Sequence, residues 1–225
     1  MRPCSFLLLF AVVLTAARAA ADTGIEPKWR PELALRVAYA VPYGHYENDT
    51  PNDSGALSTD IKAAVPLTLE AGARRAERLY LGAGATWGRV LGTSAPPYYV
   101  QNDGNTLRLA AHGRYEFRPG APVRPWAGLA GGVEWVQQGY VTYFGFPYLA
   151  VDAGVAIPVR DPACFGPFVG ASLGRFQHVD GESTGYLNST FTTGLVPQPG
   201  PNSRDIAAPA WHGWIELGVR GCLSL

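Results

Sequence analysis

The sequence predicts an all-β protein: a closed, up-and-down antiparallel transmembrane barrel of eight strands that follows a cleaved signal peptide. Three observations predict this fold class. Eight segments alternate apolar with polar or small residues, short turns alternate with long loops between them, and an export signal begins the chain. The 225 residues fit one domain, because all-β barrels of this length are commonly single units.

Residues 1–21 have the features of a secretory signal peptide. A basic start at Arg2 precedes an apolar run, and small residues lead to a cleavage site after about Ala21. No later run reaches the ~18 apolar residues of a membrane-spanning helix, so we expect no such helix. We therefore predict a short periplasmic segment at residues 22–32 and an outer-membrane β-barrel domain at residues 33–225, in the cell envelope of a Gram-negative bacterium.

The first four strands each place apolar side chains on one face and polar or small ones on the other, as the two-residue repeat of a strand requires. In the fourth strand, where the pattern is clearest, Leu107 and Leu109 flank Arg108. Arg114 and Glu116 continue its polar face. The predicted ranges are Leu33–Val41, Thr59–Leu69, Leu79–Trp87 and Thr106–Arg118.

The last four strands repeat this pattern to the end of the chain. In the final strand the apolar residues Ile215, Leu217 and Val219 share one face, and Glu216 and Arg220 lie on the other. Because a free apolar edge invites aggregation, we expect this strand to close the barrel by pairing with the first. The predicted ranges are Pro125–Val136, Tyr148–Val159, Phe165–Phe176 and Ala210–Leu225.

The connections between these strands alternate in length. Short turns join strands 2 and 3, 4 and 5, and 6 and 7. Longer loops rich in Gly, Asn, Asp, Pro and Tyr are predicted at Pro42–Ser58, Leu91–Asn105, Gln137–Pro147 and Gln177–Pro209. Short turns at one end and long loops at the other are typical of outer-membrane barrels whose termini lie on the periplasmic side.

Alternation also fits a soluble, lipocalin-like binder that turns its apolar face inwards around a ligand. Three features favour lipid outside. The polar faces are mostly Gly, Ala, Ser and Thr with a few strong charges, and the segments of roughly 9–12 residues can cross the hydrocarbon core at a tilt. Aromatic residues also collect near the strand ends, as they do at both membrane interfaces.

With lipid outside, the charged residues of the polar faces lie in the lumen. Eight strands leave an interior just wide enough for side chains, so we expect a plugged barrel rather than a pore. Unpaired charges there would be costly, which predicts that they pair. The predicted lumen charge network is Arg36, Asp60, Lys62, Glu70, Arg108, His112, Arg114, Glu116, Glu134, Asp152, Glu216 and Arg220.

At this point the chain resembles the small eight-stranded outer-membrane barrels of OmpA-, OmpX- and OmpW-like, porin-like architecture, over residues 33–225. Its C-terminal Glu216-x-Gly218 with apolar Leu223 and Leu225 resembles the signal read by the barrel-assembly machinery, although that signal normally ends in an aromatic residue. The resemblance implies outer-membrane lipid, lipopolysaccharide and the assembly machinery as partners.

We expect no catalytic, metal or cofactor site and no enzymatic activity. Gly170-Ala171-Ser172-Leu173-Gly174 matches a nucleophile elbow, but it lies inside an alternating strand rather than at a strand-to-helix turn. His112 and His212, with nearby glutamates, are explained by ion pairs. His45, His178 and Ser183 are rim candidates for a lipid-modifying enzyme that no spacing ties together.

Two further pairs of residues have predicted roles. Cys164 and Cys222 occupy the same end of neighbouring strands in an oxidising compartment, and we expect a disulfide between them. Arg89 and Arg175 fall on the outward face near the long loops. They are placed to contact lipopolysaccharide phosphates or to extend to the membrane interface.

Architecture is therefore better determined than activity. The first hypothesis is a structural or surface-interaction protein that acts through its long extracellular loops on an unknown partner. The alternative is a narrow, OmpW-like channel for small or hydrophobic solutes, which requires a gap in the charges near Gly82, Gly84, Gly128 and Gly132. Eighteen basic residues balance eighteen acidic ones, so nothing favours a nucleic-acid partner.

Overall fold

The computed structural model describes residues 29–46, 56–92, 104–138, 141–160, 162–181, 204–206 and 208–225. The predicted signal peptide, residues 22–28 and Ser183 lie outside these ranges. Among the described residues, no helix is long and apolar enough to cross a membrane.

Almost every described residue is in a strand. The elements are β1 (Trp29–Gly44), α1 (Leu57–Asp60), β2 (Ile61–Arg75), β3 (Leu79–Gly92), β4 (Gly104–Glu116), β5 (Arg124–Gln138), β6 (Val141–Arg160), β7 (Ala163–Gly181), β8 (Arg204–Asp205) and β9 (Trp211–Ser224).

Eight of these strands close into an antiparallel barrel, as predicted. Each strand pairs with its neighbour in the order β1 to β7, and β9 pairs with both β7 and β1. The short strand β8 pairs only with β7, opposite His178 and Val179, and does not enter the barrel wall. We call the end that carries the short connections, Trp29 and Leu225 the turn end, and the opposite end the loop end.

The apolar side chains of the alternating pattern face outward along the barrel wall. Leu217 is 68% exposed and Val159 is 72% exposed, whereas Arg108 and Glu134 are buried inside. A lipocalin-like interior is therefore the wrong alternative. Aromatic rings lie near both ends of the outer face, with Tyr115 beside Phe117 near the turn end and Trp135 beside Phe144 near the loop end, as membrane interfaces require.

Several strand boundaries differ from the predicted ones. β1 begins at Trp29 instead of Leu33, and β2 continues to Arg75. The loop predicted at Gln137–Pro147 is mostly strand, because β5 runs to Gln138 and β6 starts at Val141. The glycine and proline that suggested a loop instead interrupt the β6–β7 register between Gly145 and Tyr148, which is a bulge.

A second bulge overturns the prediction for Lys62. The register of β2 against β3 shifts between Ile61 and Ala63, so Lys62 is an extra residue on its strand. Ile61 and Ala63, predicted to face lipid, are buried, and Lys62 is exposed instead of lying among the lumen charges. A bulge reverses which face each neighbouring side chain occupies, and alternation alone does not reveal it.

Candidate functional site

The interior of the barrel holds two clusters of paired charges, and the one nearer the turn end is built around two glutamates. Glu70 Oε1 lies 3.2 Å from Arg36 Nη1, and its Oε2 lies 3.1 Å from Arg220 Nη2 and 3.4 Å from Arg114 Nη1. The strands bring these residues together because every second residue of β1, β2, β4 and β9 faces inward. The Glu70 carboxylate thus pairs with three guanidinium groups.

Glu32 is the second centre of this turn-side cluster. Its Oε2 lies 2.6 Å from Arg74 Nη2, its Oε1 lies 3.0 Å from Arg220 Nη2, and Arg114 also contacts Oε1. Arg74 also pairs with Glu116. Arginine suits such a cluster because its planar fork offers several donors to several carboxylates at once.

The loop-side cluster is built around Glu134. Glu134 accepts hydrogen bonds from Arg108 Nε at 2.9 Å and Trp214 Nε1 at 2.9 Å, and it lies 2.8 Å from His212 Nε2. Arg108 Nη1 also donates to Glu216 at 2.5 Å. Arg108, Glu134, His212 and Trp214 are almost fully buried, so each hydrogen bond among them takes the place of a hydrogen bond to water.

Between the clusters, Arg36 Nη1 pairs with Asp152 at 2.6 Å. The hydroxyls of Thr68 and Thr86 lie 2.8 Å apart on the same wall. The cavity left at this level is about 30 Å³, enough to hold water.

Glycines in the wall make room for large polar side chains instead of thinning the lumen. A Cβ at Gly84 would lie 2.8 Å from His112 Nε2, and one at Gly128 would lie 2.2 Å from Asp152 Oδ1. At Gly82 it would lie 2.4 Å from the Tyr80 hydroxyl. Neighbouring side chains therefore occupy the space beside these three glycines.

An apolar cluster lies above the loop-side charges. Tyr46 and Phe176 pack with Tyr143, at ring-centroid distances of 4.6 to 6.0 Å, and Phe176 stacks on His212 at 3.6 Å. The helix α1 contributes Leu57, which is fully buried there. The remaining buried members are Ala40, Ile61, Ala64, Val90, Val136, Val179, Ile206 and Trp214.

The inside–outside distribution decides the class of barrel. Six arginines and six carboxylates of the described residues pair in the interior, while Leu, Val and aromatic side chains cover the outside. The architecture is that of a small eight-stranded outer-membrane barrel.

Solved outer-membrane proteins are similar to this barrel. Neisserial surface protein A (NspA) is 16% identical with a TM-score of 0.43, over 86% of this chain and 96% of that one. OprG from Pseudomonas aeruginosa is 12% identical with a TM-score of 0.46, over 87% and 97%. The protease OmpT from Escherichia coli is 7% identical with a TM-score of 0.42, over 88% and 96%. No protein-family model matches the chain, and no curated protein matches its sequence.

The barrel brings most of the predicted network together. Asp60 lies apart from both clusters in α1 at the loop end, half-buried, and Lys62 is exposed. The predicted residues found in the paired interior are Arg36, Glu70, Arg108, His112, Arg114, Glu116, Glu134, Asp152, Glu216 and Arg220.

Four interior residues were missed. Glu32 was assigned to the segment before the first strand, and Arg74 to a turn, because both predicted strands were too short. Every second residue before Arg36 and after Glu70 faces inward, so extending both strands would have predicted Glu32 and Arg74. Arg124, just before a predicted strand, and His212, which was expected to form ion pairs but was left out of the predicted network, complete the set.

The other predicted sites have these places in the barrel. Cys164 and Cys222 are directly opposite each other on β7 and β9 and form a disulfide with a Cα separation of 5.0 Å. Arg89 is exposed on β3. Arg175 Nε donates to the Pro209 carbonyl at 3.2 Å, with its guanidinium 5.9 Å from the Trp211 ring.

The candidates for enzymatic chemistry do not converge. Ser172 lies in β7, where its Oγ accepts from the Trp214 amide at 3.2 Å, away from any turn. His178 Nδ1 lies 3.0 Å from Asp205 Oδ1 at the exposed loop end, and His45 forms an isolated bridge with Ala56. In the described ranges no three His, Cys, Asp or Glu residues are placed to hold a metal ion.

Proposed function

We propose that this protein is a non-conducting barrel of the bacterial outer membrane that acts as a structural or surface-interaction protein through its loop end. The filled lumen carries the proposal. Two charge clusters occupy the interior, a cavity of about 30 Å³ separates them, and the apolar cluster around Phe176 lies above them. An eight-stranded wall leaves little room beyond its own side chains.

The loop end is the proposed contact surface. The connections of residues 45–60, 93–103 and 182–210 all leave the barrel there, while the turn end carries short connections. Binding residues are disproportionately found on loops held by a rigid scaffold. In the proposed orientation the loop end faces the cell exterior, and the exposed Arg89 and the rim residue Arg175 contact lipopolysaccharide phosphates. The C-terminal strand β9 engages the barrel-assembly machinery.

Conductance in planar bilayers tests the closed lumen. The purified barrel is expected to insert without producing steady unitary conductance, because the paired side chains leave no continuous water path. An Arg108→Ala variant is the matched control: any current through the lumen must change when this central guanidinium is removed. Wild-type current that changes in the variant would replace the proposal with the channel alternative.

Epitope insertion on intact cells tests the loop-end surface. A tag within residues 182–203 is expected to bind antibody on intact cells. The same tag between Gly120 and Ala121, in the β4–β5 turn, should bind only after the envelope is opened. The reverse result would place the turn end outside and refute the proposed contact surface. Retained heat-modifiable gel mobility would show that both tagged barrels fold.

A further inference from the structure

A second cavity opens at the turn end, beneath the turn-side cluster. Its volume is about 560 Å³, within the range of small-molecule sites. Arg30, Arg74 and Arg124 line it, together with Glu77 and Ser224. The cavity is separate from the loop end and from the small internal void, so the role proposed for the loops does not explain it.

Arg30 lies at this cavity beside another arginine. It is directly opposite Arg74 in the β1–β2 register, and like charges at such positions repel. Arg74 is neutralised by Glu32 and Glu116. Arg30 is exposed at the cavity, and no carboxylate of the described ranges pairs with it.

Arg124 approaches the same cavity from the opposite wall, because β5 is four strands from β1 in either direction around the barrel. Its Nη1 lies 3.6 Å from Glu116 Oε2, which is beyond hydrogen-bond distance. Its Nε is buried and has no hydrogen-bond partner among the described groups. A buried donor left in this state is unfavourable unless a ligand accepts from it.

We propose that this turn-end cavity binds a small molecule carrying two or more carboxylate or phosphate groups, with Arg30 and Arg124 as its two anchors. Guanidinium groups match both kinds of oxyanion with paired hydrogen bonds. Two anchors on opposite walls of a narrow mouth select a ligand with anionic groups at both ends over a simple monoanion. Arg74, Arg114 and Arg220 engage Glu32 and Glu116, so the incoming anion meets Arg30, which pairs with no carboxylate of the described ranges, and the free Nε of Arg124.

Calorimetric titration of the folded barrel in non-ionic detergent tests the site, with pyrophosphate and citrate as probes and chloride as the monoanion. Saturable binding of pyrophosphate or citrate is expected, and the tighter probe identifies the preferred oxyanion. Arg30→Gln and Arg124→Gln should each weaken binding about tenfold, because each removes one charge-assisted anchor. Added salt should weaken binding further.

Arg78→Gln is the matched control. Arg78 lies in the β2–β3 turn at the same end, but its Nη1 lies 3.2 Å from the Tyr115 hydroxyl on the outer face. It should leave affinity within about twofold of wild type, because a surface pair contributes little. The proposed site would be overturned if neither pyrophosphate nor citrate gave a binding signal, or if Arg78→Gln and Arg124→Gln lost the same amount of affinity. Neither result bears on conductance or on loop exposure.

Discussion

Replacing Glu70 by glutamine tests whether the turn-side cluster stabilises the barrel. Glu70 is 1% exposed and forms ion pairs with Arg36, Arg114 and Arg220. Glutamine keeps the shape of the side chain and removes its charge, so three buried guanidinium groups lose a shared counterion. Removing one partner of a buried ion pair costs about 3–5 kcal/mol. Against a total stability of about 5–15 kcal/mol, this loss is large.

Urea unfolding in lipid vesicles, followed by tryptophan fluorescence and by the gel shift on heating, measures this change. Glu77→Gln is the control, because Glu77 is exposed in the β2–β3 turn, and it should stay within about 0.5 kcal/mol of wild type. Adding Arg220→Gln to Glu70→Gln restores the charge balance and should recover about 1–3 kcal/mol. A Glu70→Gln barrel within about 1 kcal/mol of wild type would refute the role of the cluster.

Three further predictions concern the wall. Cys164→Ser opens a disulfide that spans 58 residues and should lower stability by about 4 kcal/mol in urea unfolding, while the mature wild type shows no free thiol when denatured without reductant. Gly132→Ala places a Cβ 1.9 Å from a backbone oxygen and should abolish the folded gel band, whereas Gly113→Ala, which meets only a leucine methyl at 3.6 Å, should keep it. Leu217→Arg at mid-barrel should lower the stability in vesicles by about 2–4 kcal/mol, and Val159→Arg near the turn end by about 0–1 kcal/mol. Equal losses would contradict the membrane depths assigned to these two residues.

The alternation along the chain predicted which side chains of the barrel wall face inward or outward, because the two-residue repeat of a strand sets this for most of the wall. Arg108 and Glu134 were assigned to the lumen from parity alone, and both lie there. Parity does not say where a strand ends, so Glu32 and Arg74 were missed at the turn end. It also does not show a bulge, so Lys62 was placed inside. The choice of partners was beyond the sequence, because pairing across the lumen depends on the register and tilt of eight strands together.

The paired interior also explains how the register of this barrel is specified. In a membrane, an apolar interior would make both faces alike, and a strand could slip by one residue at little cost. Here such a slip would move Arg108 and Glu134 into lipid and leave their partners unpaired inside. The same slip between β7 and β9 would also separate Cys164 from Cys222, which are directly opposite in the native register. Charge pairing and the disulfide therefore select one register, and an exchange of lumen charges that keeps every pair should preserve it.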